Sequence, residues 1–193
     1  MQFHLLQFSI SIQKKSLLLL FIFLSGLSAC KKSTISELDK LPPASQYGAN
    51  TFGCLVNGKA FLPKTWGFLA PYKSSADYIP SPIGGLVIYG RYKNDQGEYS
   101  MVGLITDSLE VSEGQTLKWN TRAPGNAVGF LDNTPSGFIY TTDQKSPGTL
   151  TITKLDLVNK IISGTFDFDV SNSNGETVKI TNGRFDIHFP VTK

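Results

Sequence analysis

Histidine and cysteine are scarce in this 193-residue chain, which holds two of each. His4 sits in an apolar N-terminal leader, so processing would leave His188 alone. One histidine excludes a two-histidine metal site and a His-x-x-x-His motif, and leaves a Ser-His-Asp triad a single candidate base. Of the cysteines, Cys30 ends the leader and Cys54 is left with no partner for an internal disulfide. Cys54 lies in the apolar run FGCLV and reads as a buried, inert thiol rather than a nucleophile, since no histidine is placed to activate it. Basic runs are missing beyond Lys14-Lys15 and Lys31-Lys32. The net charge of +3 falls toward neutrality once Lys14 and Lys15 leave with the leader, so no nucleic-acid footprint is present. Neither Gly84-Gly85 nor Gly125 and Gly129 are followed by Gly-Lys-Ser/Thr, which excludes a phosphate loop.

What is there begins with that leader. Lys14 and Lys15 precede the apolar segment SLLLLFIFL, residues 16–24, and small residues then lead to Leu27-Ser28-Ala29-Cys30. A basic flank, an apolar core and small residues before a cut site make a secretory signal. The core is shorter than the roughly 18–20 residues that span a bilayer, so a permanent transmembrane helix is the poorer reading. Ending on a cysteine, the pattern is a lipobox: residues 1–29 are a signal peptide and Cys30 receives the lipid. An ordinary signal cut elsewhere is the competitor. Lys31 and Lys32 stand where acidic residues would direct export to the cell surface. The expected address is the cell envelope, anchored to the outer membrane and facing the periplasm, with surface exposure as the alternative.

Residues 30–50 are polar with Pro42-Pro43 in the middle, and are expected to form a tether. Residues 51–193 are expected to be one all-β domain, because turn-forming clusters recur about every 8–12 residues and no helical period appears. An antiparallel β-sandwich of about 8–11 strands is the first choice and a closed barrel the second. Asn57-Gly58 marks a first hairpin. A second hairpin spans 86–106, with its turn at 94–97 and Tyr92 opposite Tyr99. That register puts Leu86, Ile88, Met101 and Ile105 on one face, and Val87, Tyr89, Val102 and Leu104 on the other. Out-of-phase apolar residues predict a bulge near Thr153-Lys154. Asn182-Gly183 is either a hairpin turn or a bulge in one long strand. Residues 63–85, broken by four prolines, read as an irregular excursion.

Three groups of side chains invite a chemical reading. Asp167 and Asp169, with Asp156 and Asp186, could supply paired carboxylates for glycoside hydrolysis or calcium, although interleaved lysines favour a solvated sheet face. Asp107, Glu110 and Glu113 form an acidic loop without the EF-hand pattern. Trp66, Trp119, Tyr72 and Tyr140 fall in or beside the irregular segments and are the candidate ligand-binding residues, since exposed rings stack on sugars; the competing reading caps the core with the tryptophans.

Ala49 to Gly58, ANTFGCLVNG, followed by Pro63, resembles the opening of a family of Bacteroidota lipoproteins with a lipobox and an NTFGC-x-VNG motif. The end of the chain, ISGTF at 162–166 and KITNGRF at 179–185, is similar to that family as well. The resemblance implies fold and address, and no catalytic residues. The combined expectation is a non-catalytic envelope lipoprotein, a binding or accessory module held to the membrane through Cys30. Its partner is a glycan or an envelope protein, with no nucleic acid, cofactor or metal. Glycan capture is the alternative function, and a carboxylate-dependent hydrolase or a lipid carrier ranks below it.

Overall fold

The computed structural model of this protein describes residues 35–64, 73–133 and 136–190. Cys30, Trp66 and Tyr72 lie outside the described residues. Ser36 begins a compact unit that takes in the rest of the chain. Within it the strands are β1 (Thr51–Val56), β2 (Lys59–Phe61), β3 (Ser74–Ile79), β4 (Gly85–Lys93), β5 (Tyr99–Asp107), β6 (Thr116–Lys118), β7 (Asn126–Asn133), β8 (Phe138–Thr141), β9 (Thr149–Asp156), β10 (Ile161–Ser171) and β11 (Thr177–His188). They join in one antiparallel sheet, ordered β2-β1-β11-β10-β8-β7-β5-β4-β3, with β9 on β10 and β6 on β9. The sheet is not closed into a barrel. The fold is the expected all-β, sandwich-like one.

The sheet falls into two halves joined by three thin links. β8 meets β10 through the single pair Ser171 and Thr141, one bridge beyond β2 links Lys64 to Tyr92 of β4, and another beyond β6 links Trp119 to Ala127 of β7. The halves face each other through large apolar side chains. Leu86, Ile88, Val102 and Leu104 come from one side, and Ile162, Phe166, Phe168, Ile180 and Phe185 from the other, all almost fully buried. Glycines set how closely the halves approach. A Cβ on Gly90 of β4 would lie 2.3 Å from the Phe52 ring of β1, and one on Gly129 of β7 would lie 2.8 Å from Phe168 of β10. Only hydrogen fits beneath those rings, so these inward strand positions are glycine because an aromatic from the opposite half fills the space.

The second hairpin departs from the expected register by one residue. Lys93 pairs with Tyr99 and Tyr92 with Ser100. The turn is one residue longer than expected: Asn94 N–H donates to Glu98 C=O at 3.1 Å, and Asn94 Oδ1 accepts the N–H groups of Gln96 and Glu98 at 3.0 and 2.9 Å. Because side chains alternate across a strand, that single step moves every β5 residue to the other face. Val102 and Leu104 therefore join Leu86 and Ile88 in the core, while Met101 and Ile105 sit outside with Val87 and Tyr89. The slip expected near Thr153-Lys154 is present. Lys154 and Ile152 pair with consecutive residues of β10, leaving Thr153 as a bulge. β11 runs unbroken past Asn182, whose φ of 54° and the register shift opposite Phe166 and Phe168 make it a bulge and not a turn. In the stretch expected to be irregular, β3 pairs with β4 over its whole length.

Residues 36–50 are not a tether. They form a strap laid along β2, β1 and β11, which moves the start of the folded unit from residue 51 to Ser36. A 3-10 turn at Leu38–Lys40 opens the strap, and Leu41 is buried. Glu37 accepts the Ala60 N–H at 2.8 Å, Pro42 C=O accepts from Arg184 at 3.2 Å, and Asn50 Oδ1 accepts the His188 N–H at 3.0 Å. The central fastening is Asp186. Its carboxylate accepts from Ser45 Oγ (2.7 Å), Tyr47 N (3.2 Å), Gly48 N (2.8 Å), Ala49 N (3.0 Å) and Ser163 Oγ (2.7 Å). Burial alone would push this carboxyl up, but the donors from Ala49, Ser45, Ser163 and Gly48 outweigh it and hold it below the usual carboxylate range.

Candidate functional site

The expected binding aromatics are not a surface platform. Trp119 is 3 % exposed, its ring meets Phe168 edge-on at 5.0 Å, and its Nε1–H donates to the Asp167 carbonyl at 2.6 Å. Tyr140 is 6 % exposed and donates its hydroxyl to Glu176 at 3.2 Å. Both rings are used as core, so neither can stack on a sugar, and this part of the expectation is corrected. They flank loops because they close the core beneath those loops.

The carboxylates do not converge either. Asp169 pairs with Lys179 at 3.5 Å, and Asp156 closes its own turn by accepting the N–H groups of Val158 and Asn159 at 3.1 and 2.8 Å. The hydrogen bonds from Asn159 lead in holding the Asp156 carboxyl below its usual range. Asp186 is committed to the strap. In the acidic loop, Glu113 accepts the Leu155 N–H at 3.1 Å and lies 3.8 Å from Lys154. Among the described residues no three of His, Cys, Asp and Glu come together as a metal site would require. Cys54 is fully buried, and burial pushes its thiol far up. Such a thiol is inert.

A site does arise where five strands run out of apolar residues at the same end. Inward-facing positions read Ile88, Gly90, Tyr92 along β4; Leu104, Val102, Ser100 backward along β5; and Gly129, Leu131, Asn133 along β7. On the opposite half, Cys54 is followed by Val56 on β1, and Phe61 of β2 is followed by Lys59 opposite Val56. Each series turns polar or shortens toward this end, so the halves stop filling the space between them. The result is a mouth of about 720 Å³. Val56, Phe61, Leu62, Pro63 and Leu131 provide apolar wall; Lys59, Lys64, Tyr92, Ser100 and Asn133 provide polar groups. Ser100 Oγ donates to Asn133 Oδ1 at 3.1 Å, which fixes two of them. A cavity of this size, mostly apolar with a few placed polar groups, has the character of a small-molecule site.

None of the mouth residues was among the binding candidates read from sequence. The signal was present as inward series ending in polar residues, but it shows only in the correct hairpin register. With Tyr92 set against Tyr99, Val102 and Leu104 fall on the face opposite Leu86 and Ile88, and the shared ending disappears.

A smaller hollow of about 310 Å³ lies on the outer face of β5, β7 and β8, lined by Met101, Ile105, Val128, Phe130 and Ile139 with Arg122 and Asp132. Phe130 lies over Gly103 there, where a Cβ would come within 2.1 Å of the ring.

No curated protein and no solved structure matches the chain. A family model described as a domain of unknown function matches residues 80–187, from the approach to β4 almost to the end of β11. That stretch holds β4 to β10 and all but the last residue of β11, with ISGTF and KITNGRF inside it and β1 to β3, including the NTFGC opening, before it. The chain belongs to this family, DUF6252.

Proposed function

We propose that this protein is a non-catalytic binding module of the cell envelope, lipid-anchored at Cys30, with the mouth as its ligand site. The observation that carries the reading is the common ending of the inward strand series, which leaves a 720 Å³ cavity with an apolar wall and a lysine-bearing rim. Such a lining suits a small amphipathic molecule, its apolar part against Phe61 and Leu131 and its polar or anionic part toward Lys59 and Lys64. The anchor is supported by the lipobox at residues 27–30 and by the likeness to Bacteroidota lipoproteins at both ends of the domain. The outer membrane, periplasmic side, is the expected address, from Lys31-Lys32 behind the acylated residue.

Two measurements test the reading. Cys30→Ala, or treatment with globomycin, leaves an uncleaved or unlipidated precursor by intact mass; a normally processed and acylated product would refute the anchor. Full-length protein extracted from membranes and sprayed under native conditions carries a bound small molecule, and Val56→Arg, which puts a guanidinium into the mouth, loses it. A bound molecule that survives Val56→Arg would place the site elsewhere.

A further inference from the structure

The two halves of the sandwich differ in what they turn outward. Outward positions of β10 and β11 are polar, as a solvated sheet face requires: Thr165, Asp167 and Asp169 on one strand, Thr177, Lys179 and Thr181 on the other. The outward face of β4, β5, β7 and β8 is apolar instead. Strand pairing sets its side chains in three rows. Val87, Ile105 and Val128 form the first; Tyr89, Gly103, Phe130 and Thr141 the second; Arg91, Met101, Asp132 and Ile139 the third. Ile139 is 64 % exposed, and the 310 Å³ hollow lies within this face. With β3 the face is about 20 Å wide, at the small end of specific protein interfaces, so its charges decide which partner fits.

Those charges are left over from the chain's own pairing. Arg91 lies over the Tyr89 ring at 4.8 Å and donates from Nε to the Tyr99 hydroxyl at 3.2 Å. The ion pairs among the described residues take in neither Arg91 nor Asp132, and neither Asp77, beside Val87 on β3, nor Arg122, on the rim of the hollow. A two-fold axis along β5 turns the face onto itself with every row kept and its two sides exchanged. Arg91 then meets Asp132 of a second copy, and Asp132 meets that copy's Arg91. Tyr89 meets Phe130 and enters the hollow, and Val87 meets Val128. Asp77 comes to the lane beyond β7, which the chain from Trp119 occupies, and so to Arg122. An axis across the strands sets Arg91 against Val87 and Asp132 against Val128, where no charge answers.

The other charges on this side are compatible with the first axis. Lys73, beside Arg91, falls opposite Ile139, and Lys93 opposite the β7–β8 turn, whose sequence NTPSG is uncharged. Asp107 and Glu110 at one end of the hairpin, and Asp95 and Glu98 at the other, lie four residues or more along the chain from Gly103 at the centre. There the crossing of about 30° usual for packed sheets carries like groups about 7 Å or more apart.

We propose that this face joins two copies of the chain about a two-fold axis along β5, with Arg91 and Asp132 exchanged between them.

The test uses full-length protein in its own membranes, reduced and treated with a short bismaleimide. The cysteine is placed by Ile105→Cys, on the axis, or by Val158→Cys in the β9–β10 turn, where the side chain is 89 % exposed. Buried Cys54 does not react. Ile105→Cys gives several-fold more cross-linked dimer than Val158→Cys. Equal yields, or no dimer at 105, overturn the proposal, as does a wild type that stays monomeric in detergent at micromolar concentration. Arg91→Asp and Asp132→Arg test the pairing itself. Either one alone puts two like-charge contacts into the dimer and lowers cross-linking at 105 by about tenfold or more. Co-expression of the two, differently tagged, restores it between unlike copies, because the mixed dimer again holds two opposite-charge pairs. Circular dichroism checks that each variant folds. Cross-linking that survives both reversals, or that mixing folded variants does not restore, overturns the arrangement.

Discussion

Asp186→Asn is the most informative single change, because it keeps shape while removing the charge that five donors share. The carboxylate divides them between its oxygens: Gly48 N–H and Ser163 Oγ–H on Oδ1, and Ser45 Oγ–H, Tyr47 N–H and Ala49 N–H on Oδ2. Asparagine offers one oxygen and one NH₂. With the NH₂ in the Oδ1 position, Ser163 can turn its hydroxyl to accept, but the Gly48 N–H faces a donor. In the reverse orientation two backbone N–H groups are stranded. The better choice therefore loses one backbone donor and weakens the remaining bonds to neutral strength. Hydrogen bonds to charged groups contribute about 1.5–3 kcal/mol each, so the expected loss is about 2–4 kcal/mol. For a domain of this size that lowers Tm by about 5–15 °C, measured by circular dichroism. Hydrogen exchange at Tyr47, Gly48 and Ala49 should accelerate more than exchange in β4 and β5. An unchanged Tm together with slow exchange at those three amides would refute the view that the carboxylate holds the strap. The same group sets a pH dependence. Its folded-state titration lies below the unfolded value of about 3.9, so the stabilisation is complete above that value and is lost as pH falls through the folded one. The wild type should lose strap protection selectively on acidification below about pH 4, and the asparagine variant should show no such step.

Three further outcomes check the packing. Gly90→Ala places a methyl 2.3 Å from the Phe52 ring and 2.7 Å from Pro63, and should cost about 1–3 kcal/mol in urea unfolding. Trp119→Phe keeps an aromatic against Phe168 but strands the Asp167 carbonyl, a loss of about 1–2 kcal/mol on the same measurement. Cys54 should resist maleimide in the folded protein and react at once in denaturant, since it is fully buried with its thiol held protonated.

Local chemistry was enough for much of this architecture. Asn57-Gly58 made the first hairpin, the phase slip at Thr153 made a bulge, and alternation of Phe166, Phe168 and Val170 with aspartates marked β10 and its buried face. Counting residues also gave His188 as the one histidine, and Cys54 as the one cysteine, among the described residues. Tertiary structure decided what depended on partners far apart in sequence. The register of the second hairpin turned on which backbone groups Asn94 engages, and one residue there exchanged the faces of β5. The strap looked like a tether because its residues are polar, yet a polar segment becomes part of a fold when a buried carboxylate 138 residues away collects its N–H groups, as Asp186 does with Gly48. Trp119 and Tyr140 carried the same ambiguity: an aromatic beside a loop is core or platform according to what stands behind it. The mouth is the clearest case. No one strand encodes it, and it exists because five inward series end at the same level only after the two halves of the sheet fold together.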